Sequence, residues 1–140
     1  MTTSPAPITQ AVVDQTGLPT LPWTLFFNQN FTGDTGNNWD VNFIGLTGNA
    51  EASGRYYRIS QSLVYFTINI IPDGNTSAVS GTTYVDNFPL TFSGNGFNTV
   101  VSGDAGGAVG INRASDKRIY VPTWTDVSAP LTVIGLVEAT

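Results

Sequence analysis

The chain contains neither cysteine nor histidine, and these two absences exclude several kinds of chemistry. Without cysteine there is no disulfide framework, and without both residues the usual ligands of zinc and other transition metals are missing. Histidine is also the base that most often activates a serine nucleophile, so the many serines lack that partner. The sequence therefore predicts a protein that is not an enzyme and that has no catalytic residue, cofactor or metal site.

Charged residues are also scarce, at 11% of 140 residues compared with about 25% in an ordinary globular domain. Five Lys and Arg against ten Asp and Glu give a net charge of −5, and the five cations form no run or stripe. Nucleic acid is therefore not expected as a partner. No apolar run is as long as the core of a signal peptide or a membrane span. We therefore predict neither kind of segment, and we expect no membrane partner.

Residues 1–22 are predicted to form an extended arm. They contain four prolines, each of which fixes its own backbone and biases the preceding residue towards extended structure. Apolar side chains are spread along this segment, and we expect some of them to anchor the arm on a neighbouring protein. The expected contact residues of the arm are Pro7, Ile8, Val12, Val13 and Leu18.

Residues 23–140 read as one β-domain, organised around residues 54–72. From residue 63 to residue 70 every second side chain is large and apolar, which predicts a core strand because strand side chains alternate between faces. A second strand is predicted after Gly54, with Gln61 at a bulge or bend between the two. Further extended segments are predicted at residues 21–27, 39–46, 82–85, 90–92, 97–101, 108–112, 118–121 and 131–138, with a turn at residues 73–77.

This series of short strands without a convincing helix is typical of an all-β sandwich or barrel. We expect a jelly-roll-like antiparallel β-sandwich of about eight strands, preceded by the extended arm. A seven-stranded immunoglobulin-like sandwich is the alternative.

Three motifs that could carry chemistry lack the context they need. Asp34-Thr35-Gly36 spells the aspartic-protease triplet, but no apolar strand runs into the aspartate. The glycine-rich residues 103–110 lack the spacing and the following helix of a phosphate-binding loop, so we expect a flexible loop or a close approach between chains. No spaced set of oxygen ligands for calcium appears.

Four segments, in this order, resemble a recurring module of tailed-bacteriophage virion proteins. They are GRYYRI at 54–59, LVYFTI at 63–68, NFPL at 87–90 and RIYVPTWT at 118–125. Such modules are similar to the trimeric jelly-roll domains of capsid decoration (cement) proteins, head fibres and tail-fibre tips. The resemblance implies a homotrimer on the surface of a virion, with the major capsid protein or neighbouring virion proteins as partners.

Under this interpretation, several residues of the matched segments belong to the trimer interface or to the core, namely Arg55, Tyr57, Arg58, Phe66, Tyr120 and Trp124. The two arginines are expected to bond loop carbonyls or aspartates across a subunit boundary. The alternative function is a receptor-binding tip that recognises host-surface carbohydrate through exposed aromatic residues, with Trp39, Tyr56 and Trp124 as candidates.

Overall fold

The structure describes most of the predicted β-domain. The computed structural model describes residues 36–102 and 106–140, which lie within one compact unit that starts at Thr35. The proposed arm contacts Pro7, Ile8, Val12, Val13 and Leu18, and the strand expected at residues 21–27, lie outside the described residues. Of the protease-like triplet, only Gly36 is described.

The described residues form ten β-strands and no helix. The strands are β1 (Asn37–Asp40), β2 (Phe43–Ile44), β3 (Thr47–Arg58), β4 (Leu63–Ala78), β5 (Tyr84–Val85), β6 (Gly96–Val101), β7 (Gly106–Arg113), β8 (Arg118–Tyr120), β9 (Trp124–Val127) and β10 (Leu131–Glu138). No helix in the described ranges is long and apolar enough to cross a membrane. The all-β class is therefore confirmed.

The strands pair antiparallel in the order β1-β3-β4-β10-β6-β7-β8-β5-β2, and β9 pairs with the far end of β4. This sheet curls into a half-barrel around its apolar face. The jelly-roll sandwich of about eight strands is not confirmed, because the described strands form a single curled sheet with a different count.

The two end strands of this order are consecutive in the chain. Only Val41 and Asn42 separate β1 from β2, so Asp40 and Phe43 lie at most about 10 Å apart. The Asn87 side chain holds this connection, because its Nδ2 donates to the Asp40 carbonyl at 2.6 Å and its Oδ1 accepts from the Asn42 amide at 3.1 Å. We call this junction of the two sheet ends the seam.

Three predictions are wrong in their details. Residues 90–92 do not form the expected strand, because only Phe92 pairs there, in an isolated bridge with Ala139. The single strand expected at residues 39–46 is split at the seam, because its halves pair with different neighbours, β3 and β5. Residues 73–77 do not form the expected turn but continue β4, whose ladder with β3 absorbs the irregular residues through a register shift. Gly74 lies in this irregular part of the ladder and has a positive φ of +87°, a conformation that glycine adopts readily.

The bend at Gln61 is confirmed, whereas the described part of the glycine-rich segment differs from its prediction. Gln61 lies in the turn between β3 and β4, where the Ser60 hydroxyl accepts a hydrogen bond from the Leu63 amide. The glycine-rich segment is described from Gly106 onward, and there it is a strand rather than a flexible loop. Its close approach lies within the chain, because a Cβ on Gly110 would be 2.2 Å from the Tyr120 carbonyl oxygen.

The concave face of the sheet holds the core. Phe66 and Trp39 are buried on it, and two glycines make room for their rings: Phe66 covers Gly135, and Trp39 covers Gly54. Other apolar side chains complete this cluster, among them Val64, Ile68, Ile70, Val85, Phe92, Val100, Ile119, Val121, Trp124, Leu131, Val133 and Val137. The large side chains therefore pack over positions where the backbone has no side chain.

Two asparagines are fully buried on the same face. Asn98 Nδ2 donates to Asn112 Oδ1 at 2.8 Å and to the Tyr120 carbonyl at 3.0 Å. Asn112 Nδ2 in turn donates to the carbonyls of Phe97 and Leu136, both at 2.9 Å. The pair thus ties four strands together, β10, β6, β7 and β8, beneath the convex surface described next.

Candidate interaction surface

The convex face of the sheet carries a continuous row of apolar and aromatic side chains. Directly paired residues of neighbouring strands place their side chains on the same face, so the register of the ladders fixes the row. Reading from β3 to β2, it consists of Tyr57, Tyr65, Leu136, Phe97, Ile111, Tyr120, Tyr84 and Ile44. We call these eight residues the apolar band, and none of them is charged.

The centre of the band is open to solvent. Phe97 is 53% exposed and its cross-strand partner Ile111 is 57% exposed. Further along β7 and β6, on the same face, Val109 is 64% exposed and Val101 is 50% exposed. Contiguous exposed apolar surface of this kind marks interaction sites in soluble proteins, whereas scattered single residues do not.

On the side of Val101 and Val109, the surface next to the band centre has no charge. The outward residues of β4, β10 and β6 on this side are hydroxyl, amide or aliphatic ones: Thr67, Asn69, Thr132, Ile134 and Thr99. On the other side, Glu138 follows Leu136 and Arg113 follows Ile111 on the same face. Since the chain carries a net charge of −5, a neutral face is the part of its surface on which two copies repel each other least.

Arginines lie over the aromatic residues near both ends of the band. The Arg55 guanidinium is 5.3 Å from the centre of the Tyr57 ring, and Arg118 lies 4.1 Å from that of Tyr84. Arg113 stacks in the same way on Tyr120, at 4.4 Å. These cation–π contacts fix the rings and limit the uncharged surface to the middle of the sheet.

A hydrogen-bonded cluster lies beside the band, at the hairpin that joins β7 and β8. The hairpin between these strands carries Asp116, whose Oδ2 accepts from Arg113 Nε at 3.0 Å and from the Tyr120 hydroxyl at 2.7 Å. The bond from Arg113, with a smaller contribution from Tyr120, lowers the pKa of Asp116 to about 2. Asp116 is therefore ionised at neutral pH and neutralises one of the nearby arginines.

The residues predicted for the interface or the core separate into three groups. Tyr57 and Tyr120 belong to the band, where Tyr120 is itself buried at 9% exposure beneath the Arg113 side chain, and Arg55 lies beside it. Phe66 and Trp124 are buried in the core. Arg58 donates to the Gln61 carbonyl at 3.2 Å, which is a loop carbonyl as expected but one of its own chain.

The aromatic residues suggested for carbohydrate binding do not all reach the surface. Trp39 is 8% exposed and Trp124 is 4% exposed, so neither ring is presented to solvent. Tyr56 is half-buried and packs 6.0 Å from the Trp39 ring, measured between centroids. The expectation that Trp39 and Trp124 are exposed is therefore wrong, because both rings fill the concave side of the sheet.

Most residues of the band were not identified from the sequence. Phe97, Ile111, Leu136, Tyr84 and Ile44 look like ordinary strand residues when each segment is read alone. A usable signal exists in β10, where apolar residues occupy both alternating sets of positions: Leu131, Val133 and Val137 on the buried face, and Ile134 and Leu136 on the outward face. An outward apolar set beside a buried set indicates a strand that is covered on both sides.

Within residues 36–102 and 106–140, no three acidic side chains are grouped closely enough to hold a metal ion. The chemistry shown by this surface is therefore burial of apolar area, flanked by arginine–tyrosine stacking. Comparison of the chain with protein-family models, with curated proteins and with solved structures finds no match.

Proposed function

We propose that the protein is a non-enzymatic structural component of a virion, a homotrimeric capsid decoration protein that binds the outer surface of the capsid and stabilises it. The observation that carries this proposal is the apolar band, whose central residues Phe97 and Ile111 are both more than half exposed. The resemblance of four sequence segments to phage virion modules of the jelly-roll type supports the particle, the trimer and the capsid partner.

The energetics of the band favour contact between copies. Burying an exposed Phe or Ile contributes about 25 cal/mol per Å² of apolar area removed from water. Arg113, two residues from Ile111 on the same face, is already paired with Asp116, so this gain is not offset by the burial of an unpaired ion there. Two acidic copies can therefore meet on this face.

Attachment to the particle follows from the number of contacts. A trimer presents three copies of each capsid-binding segment, and linked binding events raise the overall affinity without a strong individual contact. Under this proposal residues 1–22 supply the capsid contacts, through Pro7, Ile8, Val12, Val13 and Leu18, while the band holds the copies together.

The trimer is tested with a matched pair of isoleucine variants. Ile111 lies in the band and is 57% exposed, whereas Ile71 lies on β4, outside the band, and is 56% exposed. We expect Ile111→Thr to weaken each of three interfaces by about 1 kcal/mol, which is about a hundredfold in the overall dissociation constant. Ile71→Thr should leave association unchanged.

The measurement is size-exclusion chromatography with light scattering at several protein concentrations, with circular dichroism to confirm that both variants are folded. A wild-type protein that stays monomeric at micromolar concentration, or equal association of the two variants, would contradict the role of the band.

Attachment is tested separately by mixing the protein with mature capsids that lack it. Deletion of residues 2–20 should abolish that binding and leave the β-domain folded; unchanged binding would contradict the role of the arm.

A further inference from the structure

A short loop at the end of the β3–β4 hairpin exposes an isoleucine. Residues 59–62, with the sequence Ile-Ser-Gln-Ser, join β3 to β4, and all four are exposed. Ile59 is 57% exposed and lies beyond the end of β3, outside the apolar band. We call residues 59–62 the β3–β4 loop. The trimer contact proposed above does not account for its exposed isoleucine.

Hydrogen bonds within the hairpin hold this loop in one shape. The amides of Ile59 and Ser60 both donate to the Leu63 carbonyl, at 2.9 Å and 3.3 Å. The Ser60 hydroxyl accepts from the Leu63 amide at 3.1 Å and from the Ser62 amide at 3.4 Å. The serine side chain thus takes the place of a backbone acceptor inside the loop.

Two further bonds tie the loop to the rest of the fold. The Arg58 guanidinium donates to the Gln61 carbonyl at 3.2 Å, and the amide of the buried Ala139 donates to the Ser62 carbonyl at 2.9 Å. A loop that is held in this way has little conformational freedom left to lose when a partner covers it, which favours binding.

The surroundings of Ile59 distinguish it from another exposed isoleucine. A single exposed apolar side chain does not by itself mark a binding site. Ile71, at 56% exposure, pairs directly with Glu51, so covering it would also take a carboxylate out of water. Around Ile59 the loop carries only serine and glutamine, and the adjacent Arg58 already has an acceptor in the Gln61 carbonyl. Ile59 can therefore be covered without the burial of an unpaired charge.

The loop lies at the end of the sheet where the chain enters β1. Asn37 pairs with Tyr56, two residues before the end of β3. Gly36 lies against Tyr57, because a Cβ at that glycine would be 2.6 Å from the ring. Residues 1–35, which include the proposed capsid contacts, are therefore joined to the β-domain at the end that carries the β3–β4 loop.

We propose that the β3–β4 loop is a second capsid contact, in which Ile59 enters a shallow apolar pocket of the capsid protein. The polar side chains of Ser60, Gln61 and Ser62 form an uncharged rim around this contact. The identity of the partner rests on the proposed function, whereas the mode of contact rests on the exposure and the hydrogen bonds of the loop. Three loops per trimer add to the binding of three arms.

The experiment measures binding of the full-length protein to mature capsids that lack it, with the matched isoleucines Ile59 and Ile71. Ile59→Thr should weaken binding about tenfold or more, because three apolar contacts are lost in each trimer. Ile59→Leu should bind within about threefold of the wild type, since an apolar pocket accepts a side chain of equal volume. Ile71→Thr should leave capsid binding unchanged.

The shape of the loop is tested with a serine variant. Ser60→Ala removes the acceptor of two amide hydrogen bonds and leaves Ile59 in place. It should weaken capsid binding about threefold or more, because the loosened loop must be ordered on binding. Ser128→Ala, at an exposed serine between β9 and β10, is the control and should bind like the wild type.

A thiol placed in the loop gives a second readout. The chain has no cysteine, so Gln61→Cys introduces one reactive group in the loop, and Asn75→Cys introduces one towards the other end of the β3–β4 hairpin. Both positions are exposed. Capsid binding should slow alkylation of the thiol of Gln61→Cys about tenfold and leave that of Asn75→Cys unchanged, because alkylation needs an accessible thiolate.

The outcomes separate this proposal from the proposed function. All variants should remain trimeric in light scattering, because the substituted residues lie outside the band. A weaker trimer for Ile59→Thr, or slower alkylation of the thiol of Gln61→Cys on trimer formation alone, would assign the loop to the contact between copies and overturn the proposal. Equal capsid binding by Ile59→Thr and Ile71→Thr would retain the proposed function and reject this site. A wild-type protein that does not bind capsids would reject the capsid partner in both.

Discussion

The buried asparagine pair offers the sharpest test of how the convex surface is supported. Asn112 is fully buried and takes part in three hydrogen bonds, one from Asn98 and two to backbone carbonyls. A typical hydrogen bond contributes about 1 kcal/mol to stability. Asn112→Ala should therefore lower the free energy of unfolding by about 3 kcal/mol.

Asn98→Ala should cost less. Asn98 donates two hydrogen bonds, but its buried Oδ1 has no partner, so removing the side chain also removes an unsatisfied group. We expect a loss of about 1 to 2 kcal/mol. In the double variant the shared bond is lost only once, so its loss should be about 1 kcal/mol smaller than the two single losses added together.

The assay is urea denaturation followed by circular dichroism, with all variants at one protein concentration because association contributes to apparent stability. Asn49→Ala, at an exposed position of β3, is the control and should change stability by less than about 0.5 kcal/mol. A loss below about 1 kcal/mol for Asn112→Ala, or strictly additive single losses, would refute the hydrogen-bond account.

Two further predictions concern packing and pH. Gly54→Ala should destabilise the protein by about 1 to 3 kcal/mol, because its Cβ would lie 2.5 Å from the Trp39 ring; Ser53→Ala is the control, and equal melting temperatures would contradict this reasoning. Because the pKa of Asp116 is lowered to about 2 from 3.8, its stabilisation is complete above pH 4 and disappears as the pH falls towards 2. In denaturation measured between pH 2 and 5, Asp116→Asn should remove this part of the pH dependence of stability, about 1 kcal/mol or less. An unchanged pH profile would contradict the role of the Asp116–Arg113 pair.

The local strand pattern could be predicted from the sequence where one period continues without interruption. Residues 131–138 were predicted as a strand, and β10 has the same bounds. Predictions failed where a distant side chain changes the path, as Asn87 does at the seam, or where a register shift keeps a turn-like segment such as 73–77 inside a ladder. Neither event leaves a signal in the local periodicity.

The interaction surface was predictable only in part. Tyr57 and Tyr120 were expected in the core or at an interface; both lie in the band, although Tyr120 is buried at 9% exposure. Phe97 and Ile111, at the centre of the band, were not identified. A row across eight strands depends on the register of seven ladders, and each register depends on contacts far apart in sequence. The periodicity of one strand shows which residues share its face, not which residue lies beside them.

The seam affects whether strands of another molecule can pair with the ends of the sheet. Growth of strands into a fibre needs two free edges on each molecule, one to receive a strand and one to pass the pairing on. Between Asp40 and Phe43 the chain itself joins β1 to β2, and Asn87 occupies the polar groups there. The Asp40 carbonyl and the Asn42 amide are therefore already bonded within the chain, and these two groups are withdrawn from pairing with another molecule.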